Sequence, residues 1–463
     1  MLGSGQPAMQ TTDTIAAVAT PPGEGAVALI RITGPSALLV GDVVCRFKNG
    51  ETLIAREPRV QTRASACDVA GSIVDEVLVT RFAGPASYTG EDVVEISGHG
   101  GPLVARRILE AVVAAGARVA GPGEFTQRAF LNGKLDLTQA EAVMDLIRAH
   151  SDLALRAANE QLGGGLGRRI ESLRDGLLDL IAHVEAYIDF PEEDITPETG
   201  AALLARLDEA RARVAALLDT ARPGRILREG VRTAIVGEPN VGKSSLLNAL
   251  AGRDRAIVSA TPGTTRDTIE EFVSVRGLAL RLVDTAGLRE SSDPIEREGV
   301  ARAHRELAGA DLVLQVVEAG SAPAAAAPLP LPADAEQVRL LVLNKIDLGL
   351  HPDWVDHREA LRVSCVTDEG IERLGVEIAS RVAGGSLRSS AGELAAINVR
   401  HRDCLARAAA SLERARAGLV AGEPPEFVAV DLRAALNAAG EVVGGAGTED
   451  ILGRIFATFC IGK

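Results

Sequence analysis

Apolar residues fall in short alternating runs at the front of the chain and settle into intervals of three and four further on. Residues 13–33, DTIAAVATPPGEGAVALIRIT, predict two strands around a Pro-Pro-Gly turn. GSIVDEVLVTRF (71–82) and EDVVEIS (91–97) predict two more, with the turn-rich GPASYTG between them. PLVARRILEAVVAAG (102–116) has helical spacing and ends on glycine. The mixture predicts an α+β first domain over residues 1–134.

From Thr138 the pattern becomes helical. Thr138-Gln139-Ala140-Glu141 has the form of a capping box, and Val143, Leu146 and Ile147 follow on one face. After a glycine break at 163–167, Ile170, Leu173, Leu177, Ile181, Val184 and Ile188 predict a long amphipathic helix ended by DFPEED (189–194). A third helix is expected over 201–221, and helical text returns at 402–419, 431–440 and 449–459. Strands and helices alternate between these blocks. The simplest arrangement is a helical domain, residues 135–229 and 385–463, with an α/β domain, 230–384, inserted into it. SAPAAAAPLPLPAD (321–334) reads as a flexible surface loop of that insert.

Composition narrows the picture. A length of 463 residues suggests about three domains. Five scattered cysteines without a CxxC pair argue against a zinc ribbon or a disulfide framework, and fit a reducing cytoplasm. No apolar run reaches the roughly 18 residues of a membrane span, so no membrane association is expected. The opening MLGSGQPAMQ lacks the basic and apolar regions of a secretory signal. A net charge of −14 counts against a large RNA interface while leaving room for a local basic patch or a basic partner. Aromatics at 3% do not suggest a base-stacking platform.

TAIVGEPNVGKSSLLNALAG (233–252) decides the class. A strand leads into Gly237–Ser244 and then a helix, the context a P-loop requires. Its glycines let backbone N–H groups close around phosphates. Lys243 reaches the outer phosphates and the Ser244 hydroxyl can ligate Mg²⁺. Asn240, Val241, Gly242 and Ser245 complete the phosphate-binding loop. Asp284-Thr285-Ala286-Gly287 follows an apolar strand and supplies an acid for Mg²⁺ and an amide for the γ-phosphate. Asn344-Lys345-Ile346-Asp347 follows another. Asp347 there can accept from both guanine N–H groups, which adenine cannot match. Ser364-Cys365-Val366 comes at the spacing of a base-closing loop. Each piece alone is weak; in this order they specify GTP. Leu288 stands where many GTPases carry a water-orienting glutamine, so hydrolysis needs another group. The Asn240 amide reads either as a loop-stabilising side chain or as a ligand for a cation beside the phosphates.

Eight stretches carry a family resemblance: ATPPGEGAVALIRI (19–32), YTGEDVVEISGHGG (88–101), PGEFTQRAFLNGKLDL (122–137), AYIDFPEED (186–194), GEPNVGKSSLLNALAGRDRAIVS (237–259), PGTTRD (262–267), DTAGLRE (284–290) and GRIFATFCIGK (453–463). Several lie outside the GTPase region, where a generic GTPase shares nothing. The chain resembles the MnmE (TrmE) family of bacterial tRNA-modification GTPases over nearly its whole length. The resemblance implies a multidomain α/β protein: an N-terminal tetrahydrofolate-binding and dimerisation domain, a mostly helical central domain, and an inserted Ras-like P-loop GTPase domain. It implies a cytoplasmic homodimer working with the FAD protein MnmG. Together they would modify the wobble uridine (position 34) of certain tRNAs at carbon 5, adding a carboxymethylaminomethyl-type group. A tetrahydrofolate derivative, 5-formyl or methylene in type, would donate the carbon, and GTP hydrolysis would be required.

The resemblance also assigns residues. K⁺ would sit beside the phosphates on the Asn240 side chain and the backbone oxygens of Ser259, Thr261 and Thr264, offsetting charge that develops in the transition state. Ser259, Thr264 and Thr265 would join the GTP site, and Thr265 would complete the Mg²⁺ shell with Ser244. Glu296, alone an ordinary solvated helix charge, would orient water indirectly and act with Lys243 in catalysis. Folate would be held by Arg31, Glu95, Lys134 and Lys463. Each of these four, read alone, is an ordinary strand or loop charge. Cys365 replaces a common alanine, and little effect is expected.

Two other classes share the GTPase motifs. A ribosome-assembly switch of the Era type needs a basic RNA-binding module, which 385–463 does not show. A membrane-remodelling GTPase needs a cationic amphipathic face or a span, and neither is seen. The terminal FCIGK is a poor prenylation box, with lysine last and no polybasic stretch before it. Cys460 reads either as a small buried thiol at a helix end or as a catalytic nucleophile or redox group. The last helix, with Ile451, Ile455, Phe456 and Phe459 on one side, is expected to bury itself in the helical domain and carry Cys460 and Lys463 to the folate pocket.

Overall fold

The computed structural model describes residues 13–48, 50–189, 200–252, 271–283, 307–323, 337–383, 397–445 and 449–463. It divides into two compact units. One comprises Met1–Met144, Gly167–Arg174 and Asn437–Lys463; the other comprises Asp145–Leu166 and Asp175–Leu436. The multidomain α/β class is as expected.

The first unit is built on seven strands: β1 (Ile15–Val18), β2 (Val27–Thr33), β3 (Cys45–Arg46), β4 (Thr62–Cys67), β5 (Ile73–Phe82), β6 (Val93–His99) and β7 (Arg118–Val119). Their order is β3-β4-β5-β6-β2-β1-β7, with β1 and β7 parallel and every other pair antiparallel. Period-two alternation sends Ile30, Ile32, Val77, Val79, Val94 and Ile96 to one face, all buried. There they pack with residues of α1 (Ala37–Val44) and α2 (Pro102–Ala114), Ile108 and Val112 among them. Each such side chain contributes about 1.5–3 kcal/mol of burial. The intervening residues point the other way. Arg31 stands opposite Glu95 in the β2–β6 register, and that pairing founds one of the sites below.

Helix α3 (Glu124–Leu131) follows Gly123, whose φ of +66° favours glycine. A Cβ on Gly123 would lie 2.9 Å from Phe459 Cβ and 3.0 Å from the Phe456 carbonyl oxygen. The absent side chain thus admits the C-terminal segment. That segment therefore packs on the N-terminal sheet unit through buried Phe456 and Phe459, not within the helical domain as the spacing suggested. Ile455 is only half-buried.

Helix α4 (Leu137–Ile147) begins two residues before the expected capping box would start it, with a different cap. Asp136 Oδ1 accepts from the Gln139 N–H at 2.8 Å, and Gln139 Oε1 accepts from the Asp136 N–H at 2.9 Å. This reciprocal pair is a capping box shifted two residues from Thr138–Glu141. Thr138 lies inside the helix and donates to Asp136 Oδ1.

The second unit contains α5 (Asp152–Leu162), the ends of α6 (Gly165–Asp189), α7 (Gly200–Leu218), α8 (Ala221–Glu229) and, beyond the P-loop region, α9 (Lys243–Ala251), α10 (Ile371–Ala383), α11 (Val399–Ala421) and most of α12 (Pro425–Val443). The last helix, α13 (Glu449–Phe456), belongs to the first unit. Helix α6 starts earlier than predicted, taking in Gly165 and Gly167. The helix expected over 201–221 is α7, which ends at Leu218, and an unpredicted helix, α8, follows from Ala221. Asp208 of α7 accepts from Arg211 at 2.7 Å and from Arg416 of α11 at 2.8 Å.

Six strands form the second sheet: β8 (Val231–Val236), β9 (Glu271–Val275), β10 (Leu278–Val283), β11 (Leu312–Glu318), β12 (Val338–Asn344) and β13 (Leu361–Arg362), in the order β13-β12-β11-β8-β10-β9. All pairs are parallel except β9–β10. Both faces of a parallel sheet are covered, so β8 and β11 read as near-continuous apolar runs. Helix α5 joins this core: Ala157 is buried with Val273, Val275 and Leu278, and Leu153 packs against them. Gly277, at φ +80°, turns the β9–β10 hairpin, where a Cβ would lie 3.5 Å from Leu153 Cγ, and His150 stacks on Phe272 at 4.2 Å. Most of the Ala/Pro stretch 321–334 lies outside the described residues.

Candidate functional site

Strand β8 ends in the loop 237–242, and helix α9 begins at Lys243. Three residues of the loop take positive φ: Gly237 (+153°), Asn240 (+66°) and Gly242 (+92°). Space requires two of them to be glycine. A Cβ on Gly237 would meet the Val316 carbonyl oxygen at 2.2 Å, and one on Gly242 would meet Asn344 Nδ2 at 2.3 Å. The Lys243 ammonium donates to the carbonyls of Gly237 at 2.9 Å and Glu238 at 2.8 Å, spanning the loop it closes. Ser244 and Ser245 are exposed in the first turn of α9, where unpaired N–H groups favour an anion. Val241 is buried and anchors the loop.

Strand β12 ends on Asn344, whose side chain is buried. Its Nδ2 donates to the Val241 carbonyl at 2.8 Å, and its Oδ1 accepts from the Cys365 thiol at 3.3 Å. Lys345, at φ +64°, turns the chain and pairs with Glu318 at 3.0 Å. Asp347 is exposed, and one of its carboxylate oxygens accepts from the Ser364 hydroxyl at 2.6 Å. Ser364 Oγ accepts in turn from the N–H groups of Val366 and Thr367. Val366 is exposed at the rim. Burial pushes the Cys365 thiol up. The phosphate-loop and base-reading motifs, about a hundred residues apart in sequence, thus meet at one point. Glu318 is a participant that motif reading missed; it lies at the end of β11 with no local signature.

The second site lies in the first unit. Arg31 Nε donates to Glu95 Oε1 at 2.9 Å and its Nη2 lies 2.7 Å from the same oxygen. Arg31 Nη1 donates to the Gly462 carbonyl at 3.3 Å. The guanidinium lies 5.9 Å from the Tyr88 ring centre and 5.8 Å from that of Phe125. The Tyr88 hydroxyl is hydrogen-bonded to Thr126 at 2.9 Å. The C-terminal segment is held by an isolated antiparallel bridge between Pro122 and Ile461, and by the Gly123 N–H donating to the Cys460 carbonyl at 3.4 Å. Gly462 is buried at φ +95°. Burial, with Arg31 beside it, holds the Lys463 ammonium below its ordinary pKa; Glu95 and Cys460 oppose that.

Arg31, Glu95 and Lys463 therefore converge. Lys134 is tied elsewhere: its ammonium donates to the Pro85 carbonyl at 3.0 Å, and its stem lies along the loop that carries Tyr88. Cys460 is exposed, which corrects the buried-thiol reading. Tyr88, Phe125 and Thr126 were not singled out as site residues, although they fall within the YTGEDVV and PGEFTQRAF stretches. Behind them, buried Arg128 donates to Asp13, Glu91 and Glu124, locking α3 to the start of β1 and to the 84–92 loop. Ser259, Thr261, Thr264, Thr265, Asp284, Thr285, Ala286, Gly287 and Glu296 lie outside the described residues.

Comparison with known proteins finds relatives over nearly the whole chain. A family profile described as the MnmE helical domain matches residues 137–460, and one described as the GTP-binding protein TrmE N-terminus matches residues 14–134. The tRNA modification GTPase MnmE of Akkermansia muciniphila is 50% identical over 450 residues, 97% of this chain and 99% of that protein. Those of Symbiobacterium thermophilum and Opitutus terrae are 47% and 46% identical, each over 97% of this chain and 99% of theirs. Among solved structures, the G domain of the T. maritima FeoB iron transporter is 27% identical and covers 32% of this chain and 96% of its own, with a TM-score of 0.23.

Proposed function

Because the chain belongs to the MnmE family of tRNA modification GTPases, we propose that it hydrolyses GTP at the P-loop site to drive modification of the wobble uridine of certain tRNAs at carbon 5, with a reduced folate as carbon donor. The observation that carries the nucleotide half is the Asn344 amide on the Val241 carbonyl, which joins base recognition to the phosphate loop. Asp347 reads the guanine N–H groups while Ser364 holds it, and Lys345, Cys365 and Val366 border the base. Lys243 and the amides of 240–244 offset negative charge on the transferring phosphoryl group.

Of the residues expected to hold the implied ions, Ser244 and Asn240 are described, and both are exposed at the phosphate loop. Ser244, exposed in the first turn of α9, would hold Mg²⁺ with Thr265, while Asn240 in the loop would hold K⁺ with Ser259, Thr261 and Thr264. Bound there, the two cations supply charge neutralisation beside the phosphates. Glu296 would orient water, with Asp284 to Gly287 closing the γ-phosphate side.

The first-unit site also suits its implied ligand. Two cations, Arg31 and Lys463, face one carboxylate, Glu95, in a half-buried place. Arg31 and Lys463 supply donors suited to oxygen acceptors of a ligand, and Glu95 suits a ring amino group. Arg31, Glu95 and Lys463 would hold the folate, with Lys134 at the edge and Cys460 beside it as a candidate reactive thiol. The working assembly is a homodimer joined by an FAD protein of the MnmG type. Residues 1–134, 135–229 with 385–463, and 230–384 are its three functional divisions, and the cytoplasm is its compartment.

Two experiments test the reading. GTP turnover in KCl should exceed that in NaCl; equal rates sink the potassium site. Mass spectrometry of wobble nucleosides from a deletion strain should show the modified uridine missing and restored by this chain. An unchanged profile sinks the tRNA-modification reading.

A further inference from the structure

We propose that the Cys365 thiol is a positioning residue of the guanine site, fixing the Asn344 amide and through it the phosphate loop. Three observations support this. Asn344 is 2% exposed, so its amide oxygen needs a protein donor, and the structure gives it the Cys365 S–H at 3.3 Å. That bond leaves the amide nitrogen aimed at the Val241 carbonyl at 2.8 Å, so the two bonds fix one orientation of the group. Gly242 leaves no room for any side chain in front of that nitrogen, and the amide cannot rotate without losing both partners.

The chain of contacts therefore runs from the base-closing loop through Asn344 to the P-loop. Asp347 stands outside it, held by the Ser364 hydroxyl instead. This separates two jobs. Ser364 orients the carboxylate that discriminates guanine. Cys365 holds the frame in which any purine nucleotide is retained. An alanine at 365 keeps the backbone of the loop but leaves the Asn344 oxygen without that donor.

The test uses the full chain and its Cys365→Ala and Cys365→Ser variants. Stopped-flow fluorescence follows displacement of mant-GDP and of mant-IDP, which lacks the 2-amino group. Thermal melting confirms that each variant folds. Loss of one weak thiol donor should speed release of both nucleotides by about threefold and by the same factor. Serine restores a hydroxyl donor, its shorter C–O bond offset by its stronger hydrogen bond, and should return release to within about twofold of the parent. Release from Cys365→Ala at the parent rate, serine as fast as alanine, or unequal factors for the two nucleotides would each overturn the proposal. It rests on the guanine reading of this corner. A parent chain that retained no mant-GDP would overturn that reading, an outcome visible before any variant is compared.

Discussion

Gly462 is where the C-terminal segment is most sensitive to a single methyl group. Its φ of +95° is a conformation that costs an L-residue about 1–2 kcal/mol. A Cβ there would lie 2.8 Å from Ala19 Cα and 2.8 Å from the Val18 carbonyl oxygen, both backbone atoms of the β1 end that cannot swing aside. Relieving that overlap costs a further ~1–3 kcal/mol. Against this stand the anchors of the last residues: the Arg31 bond to the Gly462 carbonyl and the Gly123 bond to the Cys460 carbonyl. Together these contribute about 2–4 kcal/mol. The two sums are comparable, so Gly462→Ala should release residues 460–463 while Phe456 and Phe459 stay buried. Hydrogen–deuterium exchange followed by mass spectrometry reads this directly. A loss of about 2 kcal/mol in docking corresponds to roughly thirtyfold faster exchange in the terminal peptide and at Gly123. Unchanged uptake in both would refute the steric argument. Faster uptake throughout the N-terminal sheet would refute its local character.

Two further outcomes follow from the same unit. Arg128→Met removes the buried cation that Asp13, Glu91 and Glu124 share, and should cost about 3–5 kcal/mol in urea unfolding of the full chain, because the acids are left facing one another; a loss under about 1 kcal/mol would mean that the acids find other partners. Burial alone would raise the Glu124 pKa, but bonds from Arg118, the Gly121 N–H and Arg128 outweigh it and bring the carboxyl from 4.5 to about 2. Its contribution to stability is therefore complete above about pH 4.5 and lost as pH falls toward 2. Thermal midpoints of the parent and of Glu124→Gln should converge over that window, and a constant gap would contradict the assignment.

Much of the nucleotide site was legible because its determinants are local. The P-loop and NKID motifs encode their own turns, through Gly237, Gly242 and the left-handed Lys345. Their meeting at Asn344 and Val241 was not spelled out by either motif, since it depends on the order of β8 and β12 in a parallel sheet. Glu318 was missed for the same reason. At the other site, Arg31 and Glu95 became partners only through the β2–β6 register, which pairs residues far apart in sequence. The shift of the capping box to Asp136 and Gln139 shows a different limit. Two overlapping signatures fit the same stretch, and backbone geometry, invisible in residue types, selected one. The docking of the last helix on Gly123 was hidden because apolar spacing gives the face that is buried and not the surface that receives it.

Helix α5 carries a practical consequence for anyone dissecting the chain. Its Ala157 is part of the hydrophobic core of the six-stranded sheet, and Leu153 covers the hairpin that turns at Gly277. A fragment excised at 230–384 would leave a raw apolar scar along β9 and β10. Such a fragment should be sticky and prone to self-association even with every nucleotide motif intact, and grafting α5 back onto it would be the remedy.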